Sequence, residues 1–206
     1  MRKVILCLMI GLHLSAAEIK VLAFAGSTRK ESYNQQLIEQ AVTIARQLKA
    51  QVTLINLKDY PMPIYNGDLE ASEGKPAAAK KLSELMKSHD VIMIASPEYN
   101  SSVPALLKNT LDWASRGDKG GYSPDAYKGK QFAIMSASPG SKGGARALVH
   151  LRSIITAAGG SVIEPQVSIK EANKAFNAQG ELINPSEKEA LQAEIETLLR
   201  SILDRK

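Results

Sequence analysis

An open α/β fold, with a five-stranded parallel sheet of order 2-1-3-4-5 and helices on both faces, follows from three observations on the sequence. From Ile19 onward, short β-rich runs alternate with longer stretches whose apolar residues recur at helical spacing. The short runs are almost continuously apolar, as strands covered on both faces must be. No internal repeat and no Pro/Ser-rich linker divides the chain, so its 206 residues, 44% hydrophobic and 23% charged, suit one domain with a substantial core. Right-handed crossovers leave few topologies for this pattern, and the chosen strand order places its switch point between the first and third strands.

Taken in order, the predicted strands are Ile19–Ala25, Val52–Leu57, Val91–Ala95, Gln131–Ser136 and Ser161–Val167. Between them Asn34–Leu48, Ala77–Lys87, Ala105–Ser115 and Ala145–Ala158 read as helices, and Ser186–Leu203 closes the chain with Ser186 as its cap. Two longer stretches are expected to be irregular: Lys58–Lys75, with its Tyr60-Pro61-Met62-Pro63 turn, and Ser168–Pro185, with room for a short helix at Ala172–Phe176. Both are long enough to act as lids or subunit contacts.

The first seventeen residues are of another kind. Arg2 and Lys3 precede the apolar run Val4–Leu14, and Ser15-Ala16-Ala17 offers the small residues that a signal peptidase reads. This pattern predicts a signal peptide over 1–17, a mature chain beginning at Glu18 as one domain over 18–206, and a periplasmic or secreted product. Translation from Met9 or later would instead leave a cytoplasmic protein. The run is too short for a stable membrane span. The only cysteine, Cys7, lies inside this segment, so a processed chain has no disulfide framework, zinc–thiolate site or cysteine nucleophile. The net charge is +5 and the isoelectric point about 9.2, yet the basic residues are scattered. That argues against nucleic acid and fits anionic small molecules.

Three polar loops leave the carboxyl ends of predicted strands one, three and four, where open α/β sheets bind ligands. The first, Gly26–Asn34, runs straight into a helix and combines helix-start amides with hydroxyls and the Arg29 guanidinium, a set suited to a phosphate dianion. It has one glycine where a dinucleotide fingerprint needs three, and it lacks the Gly-Lys-Ser/Thr ending of a phosphate-binding P-loop. A terminal monophosphate, as in flavin mononucleotide, suits it better than a pyrophosphate. An ordinary capped turn is the plain alternative. The second loop, Ser96–Ser102, offers Pro97, Glu98, Tyr99, Asn100 and Ser101 before Pro104 opens the next helix, and can meet the edge of a flat heterocycle. The third, Ser136–Gly144, carries three glycines that let backbone approach a planar ring. Each loop has a plain structural reading; it is their shared sheet edge that points to a cofactor.

The segments GSTRKESYN, SPEYNSSVPALLKNTLDWASR and SASPGSKGGARALVHLRSIITAAGG, with the connecting words IYNGDLE and AFNAQGELINP, resemble the NAD(P)H-dependent FMN reductase family, which includes chromate, quinone and azo-dye reductases. The resemblance covers nearly all of the chain after Glu18. It implies a flavodoxin-like fold, one FMN per subunit with NADPH or NADH as co-substrate, a small-molecule electron acceptor, and a homodimer or homotetramer with the flavin near the subunit interface. Carried over by position, Ser27, Arg29, Ser32 and Asn34 match the phosphate site. Pro97, Glu98, Tyr99, Asn100 and Ser101 match the segment beside the isoalloxazine, mostly through backbone. Ser138, Gly140 and Gly143 match the loop on the ring's other side. Ala105 departs from the family, which often has glycine after this proline.

No catalytic side chain is expected, because the flavin N5 carries the chemistry, and no metal is implied. Glu98 is read as a salt-bridge partner for an arginine such as Arg116. His89 and His150 are read as surface or packing residues, and Trp113 as core or subunit contact. Two alternatives stay open: a flavodoxin-like electron carrier, against which the basic isoelectric point weighs, and an exported FMN-binding module that does not oxidise NAD(P)H.

Overall fold

The computed structural model describes residues 18–203, so the expected signal segment lies outside the described residues. Five parallel strand positions form the order β2-β1-β3-β4-β5, as expected, from β1 (Lys20–Ala25), β2 (Gln51–Leu54), β3 (Val91–Ala95), β4 (Gln131–Ala137) and β5 (Ser161–Val162). In register, Val21 lies beside Val91 and Val91 beside Gln131, so β1 and β3 end together at Ala25 and Ala95, and β4 runs two residues past them to Ala137.

Successive side chains on a strand face opposite ways, and β1 shows what that builds. Val21, Ala23 and Ala25 enter one core with α1 (Tyr33–Gln47) and α7 (Pro185–Leu203). Leu22 and Phe24 enter the other, with α3 (Ala77–Ser88), α4 (Ala105–Ala114) and α5 (Ala145–Ala157). Trp113 is fully buried in α4, with Nε1 donating to Pro63 O at 2.8 Å and its ring meeting Tyr65 edge-on. It belongs to the core.

Four expectations are corrected by local chemistry. Strand β2 stops at Leu54 instead of Leu57, because the Asn56 side chain accepts from Lys58 N at 3.0 Å and starts a 3-10 turn over Leu57–Asp59. The stretch Lys58–Lys75 is not wholly irregular: Asn66 caps a helix α2 (Gly67–Glu73) through Asp68 N and Leu69 N. The fifth strand is split into β5 and β6 (Ser168–Ile169), both pairing with β4. Pro165 falls in the gap, where a residue without N–H cannot extend a ladder. At the last helix, Asn184 Oδ1 accepts from Ser186 N at 3.0 Å and Pro185 takes the first helical position, so the cap lies two residues before Ser186. The expected short helix is present as α6 (Ala172–Ala175).

Among the described residues no helix is long and apolar enough to cross a membrane.

Candidate functional site

The loops after β1, β3 and β4 converge on one cleft at the carboxyl edge of the sheet. Gly26 opens the first loop, its N–H donating to Ala95 O at 2.8 Å; a Cβ there would stand 2.9 Å from Leu107 Cδ2, so α4 can pack this close only against glycine. Ser27 Oγ accepts from Arg29 N at 3.3 Å, and the buried Ser32 caps α1 through Gln35 N. The helix-start amides of Tyr33 and Asn34 take no partner among the described residues. The exposed Arg29 guanidinium has no carboxylate partner among them either. A helix N-terminus beside a free cation is an anion seat.

Asn34 has a further role that sequence reasoning did not foresee. Its Nδ2 donates to Ala137 O at 2.8 Å and its Oδ1 accepts from Ala137 N at 2.9 Å, so the buried carboxamide clasps the start of α1 to the end of β4.

After β3, Tyr99 and Ser102 exchange both backbone hydrogen bonds at 3.0 Å around Asn100 and Ser101, whose φ angles are +49° and +65°. This is a two-residue hairpin turn of the I′ kind, which demands positive φ at both central positions and usually recruits glycine. Two non-glycine residues held there store backbone strain, a condition that clusters at functional sites. The N–H groups of Asn100 and Ser101 stay outside the pairing.

Glu98 does not meet Arg116, contrary to expectation. Arg116 forms a bidentate pair with Glu70 of α2, holding that carboxyl below its ordinary range, whereas Glu98 pairs with Arg146 of α5. Burial would raise the Glu98 carboxyl, but the Arg146 guanidinium and the Ala147 amide outweigh it and hold the group low, as a carboxylate.

The third loop is closed by two glycines at positive φ, Gly143 and Gly144. A Cβ on Gly143 would sit 2.9 Å from the Ile169 carbonyl carbon, and one on Gly144 would collide with Ser136 Oγ at 1.9 Å. Gly140 is sterically open, with Ser138 Oγ at 3.8 Å.

The cleft brings together Ser27, Arg29, Ser32, Asn34, Pro97, Glu98, Tyr99 and Ser138, and adds Tyr33, Ala137 and Pro139. Asn100, Ser101, Gly140 and Gly143 stand in the adjoining turns and do not line it. It encloses about 50 Å³. A roomier apolar hollow of about 640 Å³ lies elsewhere, between Ile19, Leu48 and Leu203, without the convergent polar loops of the cleft. His89 is buried against Thr53 and Leu85 O, away from the cleft, while the exposed His150 meets Ser102 Oγ at 2.9 Å. Missing from the sequence-based set are Gly144 and Arg146; the glycine pair was visible in the sequence, but which glycine the packing requires was not.

A flavodoxin-like α/β protein with a polar cleft at its switch point is thus the class that fold and site define. The family model for NADPH-dependent FMN reductases matches residues 19–174. The chain is similar to the NAD(P)H-dependent FMN reductase of Pseudomonas aeruginosa, 36% identical over 88% of this chain and 94% of that one. It also resembles the quinone reductase of Escherichia coli K12, 37% identical over 67% of this chain and 70% of its relative. Among solved structures, the flavoenzyme NAD(P)H:(acceptor) oxidoreductase FerB from Paracoccus denitrificans superposes with a TM-score of 0.74 at 27% identity, covering 88% of this chain and 98% of that one. The chain belongs to the NADPH-dependent FMN reductase family, and is an oxidoreductase that works with FMN and a nicotinamide nucleotide.

Proposed function

We propose that the cleft seats the FMN monophosphate against Ser27, Arg29, Ser32 and the start of α1, with the ring between the Tyr99–Ser102 turn and the Ser138–Gly144 loop, and that the enzyme passes electrons from NAD(P)H to a quinone, chromate or azo acceptor. The observation that carries this is the free Arg29 guanidinium beside a helix start, one strand away from a turn with outward amides. FMN, when bound, supplies the hydride-accepting atom and the redox chemistry. The chain's part is to bind, orient and stabilise charge. Arg29 and the α1 amides hold the dianion, and the N–H groups of Asn100 and Ser101 suit a ring edge that becomes more negative on reduction. Glu98, paired and ionised, has no proton to give.

Arg29→Ala is expected to weaken FMN binding about tenfold, the scale of one charge-assisted contact, with an unchanged melting temperature for the FMN-free protein. Titration monitored by flavin fluorescence checks it, and unchanged affinity counts against the phosphate assignment. Mixing FMN-loaded protein with NADPH and with NADH under nitrogen should bleach the yellow absorbance. Persistent colour with both would favour an electron carrier or a binding module.

The cleft's small volume, too little to enclose a whole FMN, also supports a homodimer or homotetramer in which a second subunit covers the ring, a matter for sedimentation with and without FMN. Export is supported by the pattern of residues 1–17, two basic residues before an apolar run that ends in small residues. Intact mass of the protein from its native cells should then correspond to a chain beginning at Glu18; a chain retaining Met1 would count against export with cleavage.

A further inference from the structure

Helix α5 begins with Gly144 at its cap position, a residue with no side chain to satisfy the first amides of the helix. Glu98 does so from 48 residues away in sequence. Its Oε2 accepts from Arg146 N at 3.1 Å and Ala147 N at 3.3 Å, and its Oε1 accepts from Arg146 Nε at 2.9 Å. A negative group at a helix N-terminus also meets the favourable end of the dipole. The Glu98 side chain is only 8% exposed, so this is a fixed attachment and not a surface ion pair.

What it attaches is the strained turn. Glu98 immediately precedes Tyr99, and Ser102 on the far side of the turn is within hydrogen-bond distance of His150, one helical turn beyond Arg146 on the same helix. Both ends of a turn with two positive-φ non-glycine residues are therefore fastened to α5. Such conformations persist where their surroundings over-determine them.

We propose that Glu98 is a positioning residue that pins the Tyr99–Ser102 turn to the N-terminus of α5, presenting the amides of Asn100 and Ser101 to the flavin ring while its own carboxylate faces the helix. The proposal rests on the seating of FMN given above.

The test compares wild type with Glu98→Ala, Glu98→Gln and Glu70→Gln, measuring FMN affinity by fluorescence and amide hydrogen exchange in the FMN-free protein. Glu98→Ala should lose about tenfold or more in affinity, the scale of lost charge-assisted bonds. Its exchange should accelerate together at Asn100–Ser102 and at Arg146–Ala147. Glu98→Gln, whose amide oxygen still accepts from the helix, should recover most of the affinity. Glu70→Gln breaks a comparably buried carboxylate–arginine pair outside the cleft, and should lower the melting temperature without changing FMN affinity. If Glu98→Ala does not fold, Glu98→Asp, one methylene short of the helix amides, takes its place with the same expectations. Affinity within twofold of wild type, exchange altered at α5 alone, or Glu98→Gln as weak as Glu98→Ala would each overturn the proposal. A wild type that takes up no FMN overturns the seating instead, and the exchange pattern still decides whether Glu98 holds the turn.

Discussion

Gly144→Ala is expected to destabilise the protein by about 2–5 kcal/mol, an overpacking cost of about 1–3 kcal/mol joined to a left-handed backbone cost of about 1–2 kcal/mol. Two penalties add. The residue has φ +85°, where a Cβ alone costs about 1 kcal/mol or more. That Cβ would also stand 1.9 Å from Ser136 Oγ and 2.8 Å from Ser136 Cβ. Ser136 cannot swing aside freely, because its hydroxyl donates to Ser96 O at 2.6 Å and ties the end of β4 to the end of β3. The damage should reach both ring loops, so FMN uptake should fall along with the urea midpoint. Gly140→Ala is the control: with ordinary φ and open space it should be close to neutral. A Gly144→Ala protein within 1 kcal/mol of wild type would show that the loop can move in a way the packing denies.

Glu194→Gln is expected to stabilise the protein at neutral pH by about 1–3 kcal/mol, because an amide is neutral without taking up a proton, whereas the carboxyl must be held protonated against the pH, at about 1.4 kcal/mol for each unit by which its pKa is raised. Glu194 sits in α7 against β4, fully buried, and neither carboxyl oxygen has a hydrogen bond of acceptable geometry. Burial pushes its pKa well above 4.5; the backbones of Val167 and Ile134 offset this in part, and Glu164 adds to the rise. The sign of the pH dependence follows. Below about 4.5 the carboxyl is protonated in both folded and unfolded chains, and its neutral burial is fully compatible with the fold. As pH climbs from there toward the raised folded value, the unfolded chain releases the proton and the folded chain retains it, so stability is lost. Melting curves should therefore nearly coincide for wild type and Glu194→Gln at pH 4 and separate steadily toward pH 8, the variant higher by a few degrees. A constant offset across that range, or none, would mean that Glu194 is ionised and paired in solution.

The sheet and its cleft were legible because their signals are local. Val91–Ala95 is an apolar run that only a doubly covered strand explains, and the strand agrees residue for residue. The converging loops followed from strand order alone, since loops after β1, β3 and β4 must share an edge. What escaped was set by neighbours distant in sequence or by competition within a few residues. Nothing in SPEYN says whether Glu98 chooses Arg116 or Arg146; the docking of α5 decides. Asn34 was legible as a residue of the cleft, but its clasp on Ala137, 103 residues away, was not. Helix α2 did have a local signal, an asparagine cap at Asn66 followed by Asp68 and Glu70, but its seven residues fall below the length at which apolar periodicity can be read. Ser186 looked like a cap because the stronger pair, Asn184 and Pro185, lies just before it.

That clasp between Asn34 and Ala137 is one of several ties that hold the walls of the cleft to one another. The bonds that join the loops after β1, β3 and β4 run from protein to protein: Asn34 to Ala137, Ser136 to Ser96, Glu98 to α5. Each tie reaches from one loop or strand end to the next, so the three loops are braced on one another as the stones of an arch are.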